Sequence, residues 1–276
     1  ARSMFSILVL TKNEEANICA CLDSVSWCDD VVVLDSRSAD GTRALAEAEG
    51  ARVFQRDFDD FGAQRNHALD HIEFRHPWVF HLDADERFND ALRAECEEAI
   101  RADNHSAYFV ANRLMFLGRW IRRSSQYPYY QVRFVKLGEA RFAKSGHGQR
   151  EESAKRGVGY LRTPYDHCNF SKGVADWVER HNRYSSEEAA EASALCAGPV
   201  PASALFSRDP LARKRAMKRL HARLPARWLF KFLYLYAWKR GFLDGYPGFA
   251  YCALNAFYDF LISVKIAERH LGNVEE

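Results

Sequence analysis

Four short apolar runs in the first hundred residues, each leading into a polar cluster or a helix-like stretch, constrain the fold of this chain more than any other feature. They are Ser6–Leu10, Asp30–Leu34, Arg52–Gln55 and Trp78–Leu82, and the stretches Ala16–Ser26 and Thr42–Glu49 between them have helical composition. Alternation of this kind is the signature of a βαβ sheet, because parallel strands must be joined by crossover helices. Gly50 stands where a helix C-cap requires a residue with positive φ. Open sheets of this type bind ligands beyond the carboxyl ends of their strands, so the chemistry is expected in the polar residues that follow the runs.

Strand-like runs return at Tyr108–Asn112 and Gln131–Lys136, separated by a basic and aromatic stretch, which makes the expected sheet mixed. Helical composition dominates from Asp176, and Gly198-Pro199-Val200-Pro201 reads as a linker. The expected organisation is an α/β catalytic domain over 1–175, with a donor-binding half at 1–105 and an acceptor half at 106–175. A helical C-terminal region over 176–276 follows, with Leu205–Glu276 as its appendage and a last helix from Phe249 to His270 after a GFLDGYPGF turn.

A hydrophobic content of 47% with 28% charged residues describes an ordinary globular chain. A net charge of +2 argues against a whole-surface nucleic-acid footprint. The seven cysteines are scattered, with no C-x-x-C pair, which fits reduced thiols more simply than a zinc site. The opening ARSMFSILVL lacks the apolar core of a secretory leader, and no run reaches about 18 uncharged apolar residues, the length a spanning helix needs. A cytoplasmic protein that meets a membrane only at its surface is therefore expected.

Four segments follow from the strand-end rule. Thr11-Lys12-Asn13-Glu14-Glu15 and Asp35-Ser36-Arg37-Ser38-Ala39-Asp40-Gly41-Thr42 place carboxylates where they could accept from a pyrimidine N–H or a ribose hydroxyl. Standing alone, Asp40-Gly41-Thr42 would be read as a helix cap and turn. Gly62-Ala63-Gln64-Arg65-Asn66 opens a helix whose Arg65 could reach a phosphate, although a single helical arginine is usually just solvated. His81-Leu82-Asp83-Ala84-Asp85-Glu86 is the sharpest signal. An aspartate cluster is often only a turn, but at a strand end its alternate carboxylates offer oxygen ligands to Mg²⁺ or Mn²⁺ bridging a diphosphate.

In order and spacing, SILVLTKNEEANI, VVVLDSRSADGT, FGAQRNHAL and WVFHLDADE resemble the family 2 glycosyltransferases of the GT-A fold, a Rossmann-like nucleotide-sugar-binding sheet. The resemblance covers the first ~90 residues. It implies a nucleotide-diphosphate-sugar donor, with preference for UDP. Thr11, Asn13, Glu14, Asp35, Arg65 and Ala84 would lie in the nucleotide-sugar site, Asp83 beside the sugar, and Asp85 on the metal. Arg133-Phe134-Val135-Lys136, then Gly146-His147-Gly148-Gln149-Arg150-Glu151, then Tyr165-Asp166-His167 resemble the bacterial branch that builds lipopolysaccharide core and exopolysaccharide. That resemblance implies Arg133 and His147 on the acceptor side, Glu151 and secondly Glu152 as the catalytic base, and His167 completing the metal shell or contacting a diphosphate oxygen. For His167 a hydrogen-bonded structural role is an equal alternative. The implied reaction is direct displacement with inversion, one carboxylate taking the acceptor hydroxyl proton and a divalent ion stabilising the departing diphosphate.

Two rival enzymes fit less well. A sugar nucleotidyltransferase needs a glycine-rich phosphate loop where Thr11-Lys12-Asn13-Glu14 stands. An aspartyl-phosphatase needs an aspartate directly after the first strand. A catalytically inactive membrane scaffold with this fold would have lost Asp83, Asp85 and Glu151, all of which are present. Between Arg208 and Arg240 eleven basic residues face the single acidic Asp209, interleaved with aromatics such as Trp228, Phe230 and Trp238. This reads either as an interfacial helix attracted to anionic lipid or as a helix packed on protein, with a homo-oligomer left open. No nucleic-acid-binding signature accompanies it.

Overall fold

The computed structural model describes residues 3–145, 148–196 and 226–272, together with the single positions Asp209 and Arg213. The chain divides into two compact units, Ala1–Met115 with Gln126–Ser171, and Phe116–Ser125 with Lys172–Glu276.

In the first unit, strand β1 (Ser6–Thr11) is buried at every position, as a strand covered on both faces must be. It pairs in parallel with β2 (Val31–Asp35) on one side and with β4 (Trp78–Asp83) on the other; β3 (Arg52–Gln55) lies parallel outside β2. Helices α1 (Ile18–Asp23), α2 (Thr42–Ala48) and α3 (Phe61–His71) make the crossovers, and Gly50 has φ of 82° as expected. Beyond β4 follow β5 (Glu86–Arg87), helix α4 (Asp90–Ala102), β6 (Ala107–Phe116), the short β7 (Arg119–Trp120), whose residues belong to the second unit, and β8 (Tyr129–Lys136). Next come β9 (Ala140–Ser145), β10 (Gly148–Ala154), β11 (Val158–Tyr160) and β12 (Tyr165–His167).

The main sheet runs β3-β2-β1-β4-β8-β6-β12-β5, with β8 antiparallel to both β4 and β6 and β12 parallel to β6. The sheet is mixed, as expected. One face buries Phe5, Phe80, Phe88 and Phe134, whose rings pack at 4.9–6.1 Å, and the other buries Leu8, Val32, Val79 and Phe142. Strands β9 and β10 form a separate two-stranded ribbon. Asn66 of α3 donates to the Phe142 carbonyl at 2.8 Å and accepts from its N–H at 3.1 Å, which ties that ribbon to α3.

The second unit contains α5 (Gly173–Cys196), α6 (Arg227–Leu233) continued by a π-helical turn Tyr234–Trp238, a 3₁₀ turn Gly241–Asp244, and α7 (Gly245–Gly272). One expectation needs correction. The last helix starts at Gly245, not Phe249, because Pro247 falls in the first turn, where its missing N–H costs no hydrogen bond. As expected, no run of about 18 uncharged residues occurs, since Asp244, Asp259 and Lys265 interrupt this stretch; with such charges tolerated, Gly241–Arg269 is nevertheless long and apolar enough, by length and composition, to cross a membrane. The linker at Gly198–Pro201 and most of the basic stretch, including Arg208, Lys214–Lys218 and Arg223, lie outside the described residues.

Candidate active site

The ends of β1 and β2 are joined by side chains that the two loops exchange. The Thr11 hydroxyl donates to Asp35 at 2.8 Å, Asp35 accepts the Ser38 N–H at 2.8 Å, and the Ala39 N–H donates to the Asn13 side chain at 2.8 Å. The Asn13 N–H donates back to the Ser38 hydroxyl at 2.8 Å, and the Glu14 N–H to the Thr42 hydroxyl at 2.7 Å. Asn13 and Arg37 both have positive φ, 55° and 53°, a conformation that costs a non-glycine residue free energy and persists only when its surroundings hold it. Thr11, Asn13, Glu14 and Asp35 thus converge at one strand-end edge. The plainer reading of this segment as a turn into a helix also holds, since Asp40 accepts from the Thr42 N–H at 3.1 Å just ahead of α2, whose N-cap position is Gly41.

At the end of β4, Asp83 is held by two arginines. Arg65 of α3 donates to one carboxylate oxygen at 3.0 Å, and Arg133 of β8 to the other at 2.8 Å. The same Arg133 Nη2 donates to Glu86 at 2.6 Å, while its Nε donates to the Tyr165 hydroxyl at 3.1 Å. Glu86 closes the loop by accepting the Asp83 N–H at 2.8 Å. Both arginines are 2% exposed and Glu86 is 1% exposed, so all of this cluster except the partly exposed Asp83 is nearly dry. Burial pushes the Asp83 carboxyl up, but Arg133 and Arg65 outweigh it and hold the group well below the usual carboxylate range. For Glu86 burial wins over Arg133, and its pKa is raised. Burial lowers Arg65 to about 10. His81, fully buried on β4 and 5.1 Å from the Phe142 ring, is driven towards its neutral form by burial and by the same two arginines.

Beyond the pair of arginines, Asp85 and His167 stand side by side, Oδ2 to Nε2 at 3.3 Å, each about a quarter exposed. Burial lowers the His167 pKa, but the Asp85 carboxylate outweighs it and pushes the imidazole up to about 9. The two elements meet because β12 pairs antiparallel with β5, His167 opposite Glu86. Among the described residues no group of three or more His, Cys, Asp or Glu could hold an ion unaided. One carboxylate with one imidazole would fit a divalent ion that also takes diphosphate oxygens, with His167 giving up its proton to bind it.

The remaining expected site residues are placed as follows. Arg133, placed on the acceptor side, is buried and engaged with Asp83, Glu86 and Tyr165, so it reaches a ligand only through those neighbours. Ala84, placed in the nucleotide-sugar site, is itself 2% exposed. Glu151 and Glu152 lie in β10, Glu151 opposite Phe142 and Glu152 at a break in register, but their side chains are outside the described residues, as is His147 entirely. Glu86 and Tyr165 had no assigned role. The crowding of three carboxylates into Asp83–Glu86 was the only signal for Glu86, since a site cannot keep all three charged without cations beside them.

The family profile for glycosyl transferase family 2 matches residues 6–212. A lipopolysaccharide core biosynthesis glycosyltransferase, LpsC, of Rhizobium meliloti strain 1021 is 26% identical over 272 residues, spanning 96% of this chain and 92% of that protein. Among solved structures, residues 1–349 of TarS from S. aureus align over 97% of this chain and 91% of that one, with 14% identity and a TM-score of 0.45. The glucosyl-3-phosphoglycerate synthase of Mycobacterium tuberculosis, solved with Mn²⁺ and UDP-glucose, aligns over 42% and 44% of the two chains, with 22% identity and a TM-score of 0.35.

Proposed function

Because this chain belongs to glycosyl transferase family 2, we propose that it moves a hexose, with inversion, from a UDP-sugar to a lipid-linked glycan during lipopolysaccharide or exopolysaccharide assembly. The near full-length similarity to a lipopolysaccharide core glycosyltransferase supports the acceptor class. The observation that carries the donor reading is the Asp83–Asp85 loop, with one aspartate fixed by two arginines and the other beside His167.

In this reading Thr11, Asn13, Glu14 and Asp35 receive the nucleoside, and Ala84 lends the donor site its backbone. Asp83, ionised and oriented by Arg65 and Arg133, accepts a hydroxyl of the donor. Asp85 and His167 would hold Mg²⁺ or Mn²⁺. Such an ion, when bound, offsets charge on the departing diphosphate. Glu151, with Glu152 second, takes the acceptor hydroxyl proton, and His147 lies on the acceptor side. The chain works as a peripheral protein on the inner face of the cytoplasmic membrane, its basic aromatic C-terminal stretch towards anionic lipid.

Thermal stabilisation by UDP, GDP, CMP and their sugar conjugates, with and without Mn²⁺, tests this on the wild type and on Asp85→Ala. A ligand that binds only the native state raises Tm. The expected result is a metal-dependent rise with a UDP-sugar that Asp85→Ala removes. No rise with any nucleotide would overturn the donor reading and leave the inactive scaffold in its place.

A further inference from the structure

Helix α6 and its π-helical continuation fold back on α7 as a helical hairpin. Trp228 meets Phe260 at 5.9 Å between ring centroids, Phe232 meets Phe249 at 6.0 Å, and Tyr236 meets Phe242 at 6.2 Å, so partners draw together in sequence towards the turn. Helix α5 meets α7 much further along, where Tyr258 donates to Glu188 at 2.8 Å and Lys265 to Asn182 at 2.7 Å. The turn Trp238–Tyr246 is therefore the end of the hairpin remote from α5, about 18 Å of helix from Tyr258.

This turn has two unlike sides. Gly241, Asp244, Pro247 and Gly248 are buried. A Cβ on Gly248 would meet the Gly241 carbonyl oxygen at 2.4 Å, so the backbone is locked at close approach. Asp244 accepts the Arg123 and Ser124 N–H groups at 2.9 and 3.0 Å and the Ser124 hydroxyl at 3.0 Å. On the other side Trp238 is 81% and Tyr246 72% exposed, with Phe242 and Leu243 about half exposed between them and Arg240 beside them. Asp244 and Asp259 are the sole acids from Ala226 to Ala267, and both are buried. The outer face thus joins aromatic and aliphatic groups to Lys239 and Arg240, with no exposed acid of its own segment to offset them.

We infer that the turn Trp238–Tyr246 is a preformed anchor that inserts Trp238, Phe242, Leu243 and Tyr246 into the headgroup layer of an anionic bilayer. Aromatic residues with a polar edge favour that depth, and the cations add attraction to anionic lipid. A protein partner or a second copy would have to match two cations, whereas an anionic lipid surface matches them without further design. This inference deepens the membrane-surface reading above and rests on it, but not on the donor assignment.

Co-sedimentation of the full chain with vesicles of phosphatidylglycerol and phosphatidylcholine, against phosphatidylcholine alone, tests it, with Mn²⁺–UDP thermal shift run in parallel. Phe242→Ser/Leu243→Ser and Lys239→Glu/Arg240→Glu should each weaken binding to the anionic vesicles by at least about tenfold, with the nucleotide response unchanged. Emission from Trp238, isolated as its difference from Trp238→Phe, should be quenched by lipids labelled near the headgroup. Vesicle binding equal to wild type in both double variants would overturn the inference. So would a loss of dimer in sedimentation velocity without any vesicle binding by the wild type, which would assign the face to protein. Failure of the nucleotide response alone would strike the donor reading and leave the anchor standing.

Discussion

At the scale of single residues, the site turns on how few cations serve its carboxylates. Arg133 donates through one nitrogen to both Asp83 and Glu86 and through another to Tyr165, and all of these groups except Asp83 are essentially dry. Removing one partner of a buried charge cluster strands the others and costs about 3–5 kcal/mol. Arg133→Met is therefore expected to lower the unfolding free energy by about that much, read from urea midpoints at constant m. A loss under about 1 kcal/mol, the range of an exposed pair, would mean that Arg133 does not hold the cluster. Arg133→Lys should recover little, since a point charge cannot serve the three directions that a guanidinium fork does. Asp83 and Asp85 were legible in the sequence because a strand ran directly into them. Glu86, one residue further on, was not, because nothing local states which of three neighbouring acids turns inward. That choice is made by Arg133, 47 positions away, and by the pairing of β5 with β12.

At the scale of elements, the parallel strands were legible almost to the residue: β3 falls at Arg52–Gln55 as expected, and β4 exceeds its expected span by Asp83 alone. Their apolar runs are continuous because both faces are covered, and that pattern is local. The expectation for β6 ended at Asn112, whereas the strand reaches Phe116. Ala107–Asn112 pair with β8, Ala107–Phe109 also with β11 and Asn112–Leu114 with β12, and which strand comes to lie beside it cannot be read from its own residues. The end of α4 shows the same dependence on distant partners. Asp103 sits in the left-handed region at φ 44° and accepts from Lys136 at 2.9 Å and from Arg156 at 2.8 and 2.9 Å. Hydrogen bonds from Arg156 and then Lys136 hold its carboxyl well below its ordinary 3.8. A depressed folded value contributes stability that is fully present above 3.8 and is lost as pH falls below that, through the folded value. Asp103→Asn keeps a residue that tolerates positive φ while removing the charge. Its Tm should lie below wild type at pH 7, with the gap closing progressively below pH 4 in a melting series. A gap that stays constant down to pH 2 would show that the charge is not what ties α4 to β8 and the Arg156 turn.

At the scale of the whole molecule, a division at residue 175, natural from composition, does not follow the packing. Phe116–Ser125 lies between β6 and β8 in the chain yet belongs to the helical unit. Its Arg123 and Ser124 backbone N–H groups and the Ser124 hydroxyl find their acceptor in Asp244, and Ser124 lies within 2.8 Å of where a Gly241 Cβ would stand. Composition could not reveal this, because the segment holds no helix of its own and its partner is 120 positions downstream. A chain ended at 175 keeps Phe116–Ser125 but loses that acceptor, leaving donors that were buried to find water in a segment shaped for protein. Each buried donor left unpaired costs about 1–3 kcal/mol, so the loss is a large part of a domain's whole stability. We expect residues 1–175 alone to melt at least about 10 °C below the full chain, and less cooperatively, by calorimetry. A cooperative transition at the full chain's Tm, with the same Mn²⁺–UDP shift, would show instead that the sheet unit folds without the helices. In that outcome the C-terminal unit would serve recruitment alone, and the hairpin turn would be its one task that the sheet cannot do.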